Sequence, residues 1–324
     1  MKIQKLFLTL CISICFFACN DDTQDSEPTA EEVTKTPVQA PEFNADNAYS
    51  YIEKQVAFGP RVPGTTSQKK CAAWLEKTLR ELADTVYIQN AKVTQPISNK
   101  KYDAINIIAS FNPTLQNRVL LLAHWDSRPW ADNDTKNTQS AIDAADDGAS
   151  GVGVLLEIAT QLHHNKPSVG VDILLVDAED VGKTEWTEQS YCLGTQHWAG
   201  NPHTPGYRAQ YGICLDMVGS KNARFPLEDF SKAYAGDIQK NIWAVANRIG
   251  YSSYFVYEQG GSITDDHVVV NEIARIPCVD IINLKPGGGF GDHWHTHQDN
   301  ISVIDKQTLK AVGQTVLQVL FETQ

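Results

Sequence analysis

The chain has 324 residues, 42% of them hydrophobic and 20% charged, which is enough for one large α/β domain or two small ones. Its 27 Lys and Arg against 39 Asp and Glu leave a net charge of −12, which argues against nucleic-acid phosphate as a partner. There is no collagen-like repeat or coiled coil, and no apolar run reaches the roughly 18 residues that a membrane-spanning helix needs.

The first element is an address. Lys2 and Lys5 precede residues 6–18, which carry no charge and suit the apolar region of a secretory signal. That run ends in Ala18-Cys19, a small residue before a cysteine, as in a bacterial lipobox. A lipid on Cys19 would anchor the mature chain to a membrane without spanning it. Residues 19–42 follow as an acidic tether. Asp21, Asp22, Asp25, Glu27, Glu31, Glu32 and Glu42 stand there against Lys35 alone, among Pro, Thr and Ser. The expected organisation is signal peptide 1–18, lipid-anchored acidic linker 19–42 and one catalytic domain 43–324.

From residue 43 onward helical and strand patterns alternate. Asp46 is placed to cap a helix over 47–57, and Ser67 another that runs to 82. Strand-like runs occupy 85–93, 105–111 and 119–125. A Gly-rich helix over 148–163 precedes a strand at 171–176, and a helix near Thr195 precedes a strand at 211–218. A helix at 238–249, a strand at 279–284 and a last helix at 306–322 complete the order. This β-α-β alternation with continuous apolar strands predicts an α/β domain with a mostly parallel central sheet flanked by helices. Of the four cysteines outside the leader, Cys71, Cys192, Cys214 and Cys278, no two form a CxxC pair, and any of three disulfide pairings is open. Cys214 and Cys278 fall in strand-like runs, where a buried free thiol is the commoner state.

Chemistry-bearing residues gather where strands end. His124-Trp125-Asp126 closes one strand, Asp177 to Asp180 the next, and Asp216 sits late in a third. His293, Trp294, His295 and His297 follow a fourth, and Asp146-Asp147-Gly148 opens the helix between the first two. In open α/β sheets ligands bind at the carboxyl ends of strands, so these groups should converge on one crevice. Carboxylates with imidazole and no thiolate suit a catalytic zinc site with an open position. Asp147, Asp180 and His295 would supply three ligands. Glu179, beside a ligand on a turn where side chains diverge, would stay free as a base for attack on an amide.

Seven motifs occur in order: FGPRVPGT at 58–65, HWDSR at 124–128, DDGASGVGVLLEIA at 146–159, DAED at 177–180, LDMVG at 215–219, DDH at 265–267 and WHTHQDN at 294–300. Together they resemble the animal-type glutaminyl cyclases, which share the zinc-aminopeptidase fold. The resemblance implies a zinc-dependent glutaminyl-peptide cyclotransferase, an acyltransferase that holds one Zn2+ per chain. Its substrates would be peptides or proteins with N-terminal glutamine. It also implies Trp294 and Trp186 as substrate-facing walls, and Asp265 as an acid partnered with Asp216. Two departures stand out. The family's usual Glu-Glu pair is here Glu179-Asp180, and Ala123 and Val152 stand where animal members have a disulfide.

Two other functions compete with that reading. A two-zinc aminopeptidase would use Asp147 as a bridge, with His124 and Asp216 on a second metal; in a one-metal cyclase His124 would only pack behind the ligands. An inactive peptide-binding lipoprotein would have lost the base, whereas Glu179 is present. The expected location is the periplasmic or cell-surface side of a bacterial membrane, anchored at Cys19, with no nucleic-acid partner.

Overall fold

The computed structural model describes residues 38–183 and 185–324. The expected signal peptide, the Cys19 anchor and most of the linker lie outside the described residues. The packed unit begins at Val38, five residues before the expected start at residue 43. Residues 38–42 are not a free tether, because a neighbouring helix supplies partners that composition does not reveal. Gln318 accepts from the Ala40 N–H and donates to the Val38 carbonyl, and Lys310 pairs with Glu42. Among the described residues no helix is long and apolar enough to cross a membrane.

Six strands form the central sheet: β1 (Thr85–Thr94), β2 (Lys101–Phe111), β3 (Arg118–His124), β4 (Gly170–Val176), β5 (Tyr211–Asp216) and, numbered by chain order, β8 (Cys278–Ile282). Their order is β1-β2-β4-β3-β5-β8. The pairs β1/β2 and β2/β4 are antiparallel, while β4/β3, β3/β5 and β5/β8 are parallel. The mostly parallel sheet is therefore present, and four adjacent strands direct their carboxyl ends to one edge.

Strand residues alternate between two apolar layers, as the period of two requires. Val119, Leu121, Ala123, Ile173, Leu175, Ile213 and Leu215 pack into the larger core. That core is shared with α1 (Ala45–Val56), α2 (Thr66–Leu82), α3 (Ala149–His164), α5 (Asp229–Arg248) and α7 (Lys306–Glu322). Leu120, Leu122, Leu174, Val176 and Cys214 face the other way, onto Trp198 of α4 (Leu193–Gly200) and Val269 of α6 (Asp266–Val269). The α3 helix lies so close to the sheet that a Cβ on Gly151 would come within 2.2 Å of the Leu215 carbonyl, which explains its glycine-rich sequence.

Several boundaries differ from the sequence pattern for local reasons. The α1 cap is Asn44, whose side chain accepts from the Asp46 and Asn47 N–H groups, and the α2 cap is Thr65, which accepts from Gln68. Helix α5 starts at Asp229 because Glu228 caps it, and it kinks at Ala235. A small parallel pair, β6 (Phe225–Glu228) with β7 (Phe255–Gly261), and the single turn α6 had no clear periodic signal. Cys71, Cys192, Cys214 and Cys278 are all buried free thiols, as expected for the last two.

Candidate active site

The carboxyl edge of the parallel strands delivers the predicted residues to one place. His124 is the last residue of β3 and Asp216 the last of β5. Residues 177–180 follow β4, and the long loop after β8 carries Trp294 and His295. Ala178, Met217 and His295 all adopt left-handed backbone, with φ of 57°, 48° and 57°. For non-glycine residues such a conformation costs about 1–3 kcal/mol, and strain of this kind concentrates where side chains must be aimed. At Ala178 it turns the chain so that Glu179 and Asp180 diverge into the crevice.

A cavity of about 450 Å³ opens over these strand ends. Asp147, Glu179, Asp180, Trp186, Asp216, Asp265, Trp294 and His295 all line it, and His124 lies directly behind, 2% exposed. Trp294 stacks on His295 with ring centres 3.6 Å apart and meets Phe290 at 4.3 Å, so it forms a wall beside the acids. Trp186 stands edge-on to Trp130 at 6.2 Å. Two expected neighbours fall elsewhere. His297 binds Asp134 at an exposed position, and His293 binds Asp146 at 2.8 Å.

Among the described residues four groups of side chains could hold a metal ion, and the two that contain histidine share Asp147. In the first, His295 Nε2 lies 3.5 Å from Asp147 Oδ2 and 3.6 Å from Asp180 Oδ1. Those spacings approach the edge of a tetrahedron, roughly 3.3 Å, that metal–ligand bonds of about 2.0–2.1 Å require. Asp180 Oδ1, the oxygen at 3.6 Å, also accepts from Arg128, while Oδ2 is buried with no hydrogen-bond partner. Burial first, and Arg128 next, push His295 down to about 3, which leaves a neutral imidazole with a lone pair to donate. Burial opposes ionisation of Asp147, yet His124 and His295 outweigh it and hold that carboxyl at about 2. A neutral imidazole beside an ionised carboxylate and an unpartnered carboxylate oxygen is a donor set that zinc fits.

The second group shares Asp147. His124 Nε2 lies 3.1 Å from Asp147 Oδ1 and 3.3 Å from Asp216 Oδ1. Burial lowers the basicity of His124, but Asp126, Asp147 and Asp216 overcome it and raise its pKa well above the ordinary value. Burial pushes Asp216 up to about 7, helped by Asp147 and Asp265 and opposed by His124. Both His124 ring nitrogens and Asp216 Oδ1 are buried with no hydrogen-bond partner, so this group too presents open donor atoms. Burial, and then Asp180, raise Glu179 well above the usual carboxylate range. Among the described residues its side chain accepts from the Cys192 thiol at 3.5 Å, and Cys214 makes a similar contact of 3.3 Å with Asp265.

Sequence reasoning had quoted Asp126 and Arg128 in a motif without giving them roles. The fully buried Asp126 carboxylate accepts the Glu179 N–H at 3.1 Å and the Asp180 N–H at 3.3 Å, and lies 3.4 Å from His124 Nδ1. Arg128 donates to Asp180 and makes a two-pronged pair with Asp132 at 2.7 and 2.6 Å. Phe290 and Met217 complete the apolar lining. The sequence signal for these residues was proximity to a motif, which does not say where a side chain points.

An open α/β sheet whose carboxyl edge gathers aspartates and a neutral histidine beside a shielded glutamate defines a metal-dependent enzyme of the kind that acts on amides. The profile of Peptidase family M28 matches residues 106–320. The chain belongs to that family, and within it to the group that includes the bacterial glutaminyl cyclases. The solved glutaminyl cyclase of Tannerella forsythia is 49% identical, with a TM-score of 0.85 over 88% of this chain and 100% of that one. A solved Zn-dependent exopeptidase of Parabacteroides distasonis is also 49% identical, with a TM-score of 0.85 and the same shares covered. The glutaminyl-peptide cyclotransferase of Bos taurus is 26% identical over 245 residues, 66% of this chain. That match spans 64% of the bovine protein's length. Identity is thus greater to bacterial members than to the animal type that the motifs first suggested.

Proposed function

We propose that the protein is a zinc-dependent glutaminyl-peptide cyclotransferase, which converts N-terminal glutamine of peptides to pyroglutamate and releases ammonia. The observation that supports this reading is the buried Glu179 carboxyl, raised well above the usual range, beside Asp147, Asp180 and His295 in a cavity lined by Trp294 and Phe290. Asp147, Asp180 and His295 would hold one zinc ion. When bound, zinc polarises the side-chain amide of the substrate's glutamine and stabilises the negative charge that develops on its oxygen.

The remaining work falls to the chain's own residues. The nucleophile is the substrate's α-amine, with a reference pKa of about 7.7–8.0, so it must lose a proton before it attacks. Glu179, raised well above an ordinary carboxyl, takes that proton and returns it to the departing ammonia. Burial, with Asp147 and Asp265 adding to it, pushes Asp216 up to about 7, so Asp216 would be the acid that carries a proton beside Asp265 in the cavity lining. Trp294, Phe290 and Trp186 line the same cavity and would cover the bound glutamine side chain, which favours ring closure over hydrolysis.

A second reading has its own observation. The group of His124, Asp147 and Asp216 could hold another ion, as a two-metal aminopeptidase needs. Incubating purified protein with Gln-initiated and Leu-initiated peptides and weighing the products separates the two. The Gln peptide should lose one ammonia and the Leu peptide should be unchanged. Free amino acids from both would establish the aminopeptidase instead.

For location, the uncharged run 6–18, Cys19 and the acidic segment after it support an exported lipoprotein. Cys19→Ser should move the protein from the membrane fraction to the soluble one, as read by immunoblot of fractionated cells. An unchanged distribution would remove the anchor and leave the catalytic reading standing.

A further inference from the structure

The WHTHQDN motif contains a residue that the proposed chemistry does not use. Asp299 is fully buried, and its carboxylate spans two consecutive peptide N–H groups. One oxygen accepts from Asp146 at 2.7 Å and the other from Asp147 at 3.1 Å. The Asp299 backbone carbonyl also takes the Ala145 N–H at 3.3 Å. The clasped segment lies between two left-handed positions, Ala144 with φ of 53° and Gly148 with φ of 111°. It cannot slide away at Gly148, where a Cβ would come within 2.8 Å of the Asp126 carbonyl and 3.0 Å of the His124 ring. The Asp299 N–H in turn bonds the Thr296 carbonyl at 3.1 Å, so Asp299 belongs to the turn that carries His295.

We propose that Asp299 is a positioning residue for the metal centre, holding Asp147 and His295 in register by clasping the peptide of the first from the turn of the second. This rests on the reading of Asp147, Asp180 and His295 as zinc ligands. The same device recurs where the Asp126 carboxylate spans the N–H groups of Glu179 and Asp180, and where Glu228 spans those of Phe230 and Ser231 at the start of α5. Metal sites tolerate displacements of about 0.2 Å in ligand position, so the orientation of a ligand's peptide bears directly on affinity. Groups that orient ligands without touching the ion are typically worth 10–100-fold in metal affinity.

Asp299→Asn leaves one acceptor oxygen and turns an amide N–H2 toward a peptide N–H, which breaks half of the clasp. His293→Ala is the companion variant. It removes the 2.8 Å contact on the Asp146 side chain but leaves both peptide N–H bonds intact. Zinc dissociation constants are measured by competition with a chromophoric chelator, alongside the thermal midpoint of the metal-free proteins. Asp299→Asn should weaken zinc about 10–100-fold, with a midpoint no lower than that of His293→Ala. His293→Ala should stay within about threefold of the parent. A zinc constant unchanged in Asp299→Asn, or weakened equally in His293→Ala, would overturn the proposal. If Asp299→Asn does not fold, Asp299→Glu, which keeps both acceptor oxygens but misplaces them by one methylene, is read by the same two criteria. His295→Ala keeps the two readings apart. Should it bind zinc as tightly as the parent, the ligand set has failed; should it lose zinc while Asp299→Asn does not, only the positioning role has failed.

Discussion

Glu179→Gln should lower kcat by about 10²–10⁴-fold, the usual worth of a positioned base, while zinc content stays that of the parent. The variant keeps the shape of the side chain and an oxygen that can still accept from Cys192, so the cavity should not rearrange. It cannot accept the proton of the substrate's amine. The neighbouring Asp180 meets both His295 and Arg128 through Oδ1 and does not depend on Glu179 for its aim. Both residues are oriented through their peptide N–H groups by Asp126, which the substitution leaves untouched. Steady-state kinetics on a Gln peptide together with metal analysis checks the separation. A variant that loses its zinc would make Glu179 a ligand, and full activity would remove it as the base.

The second large effect separates one metal from two. His295→Ala should lose zinc and activity together, because two carboxylates alone hold zinc poorly in a cleft open to water. His124→Ala should keep one zinc per chain. His124 faces Asp147 Oδ1, whereas the proposed site uses Asp147 Oδ2, 3.5 Å from His295. His124 Nδ1 lies 3.4 Å from Asp126 and 4.0 Å from Glu179, on the side away from Asp147, so its removal leaves the group of Asp147, Asp180 and His295 in place. Zinc measured per chain in the parent and both variants decides the matter. Two ions in the parent, falling to one in His124→Ala, would establish the two-metal arrangement and with it the aminopeptidase.

Much of the crevice was legible because the residues that line it lie in local signals. His124, Asp147, Glu179, Asp180 and Asp216 sit at strand ends or a helix entry that periodicity alone places. Trp294 and His295 were legible through their motif, although the loop that carries them has no period. The residues that escaped notice act through the backbone or through another side chain. Asp126, Arg128 and Asp299 hold their targets across separations of 52 to 153 residues, and no pattern within a window of the chain encodes such a pairing. The early end of the linker was missed for the same reason, since Val38 and Ala40 bond to Gln318, 280 and 278 residues away.

The order of helices and strands, the mostly parallel sheet, and the acids and imidazoles at the carboxyl ends of its strands follow from local patterns along the chain. Side-chain periods of two and 3.6 are local properties, and strand ends follow from them. Folding sets which oxygen of Asp147 faces which histidine, places His293 and His297 against Asp146 and Asp134, and lowers the pKa of His295 by burial and Arg128. Those outcomes depend on burial and on charges brought together from distant parts of the chain. Electrostatic energy varies with distances of a few ångströms that folding alone sets.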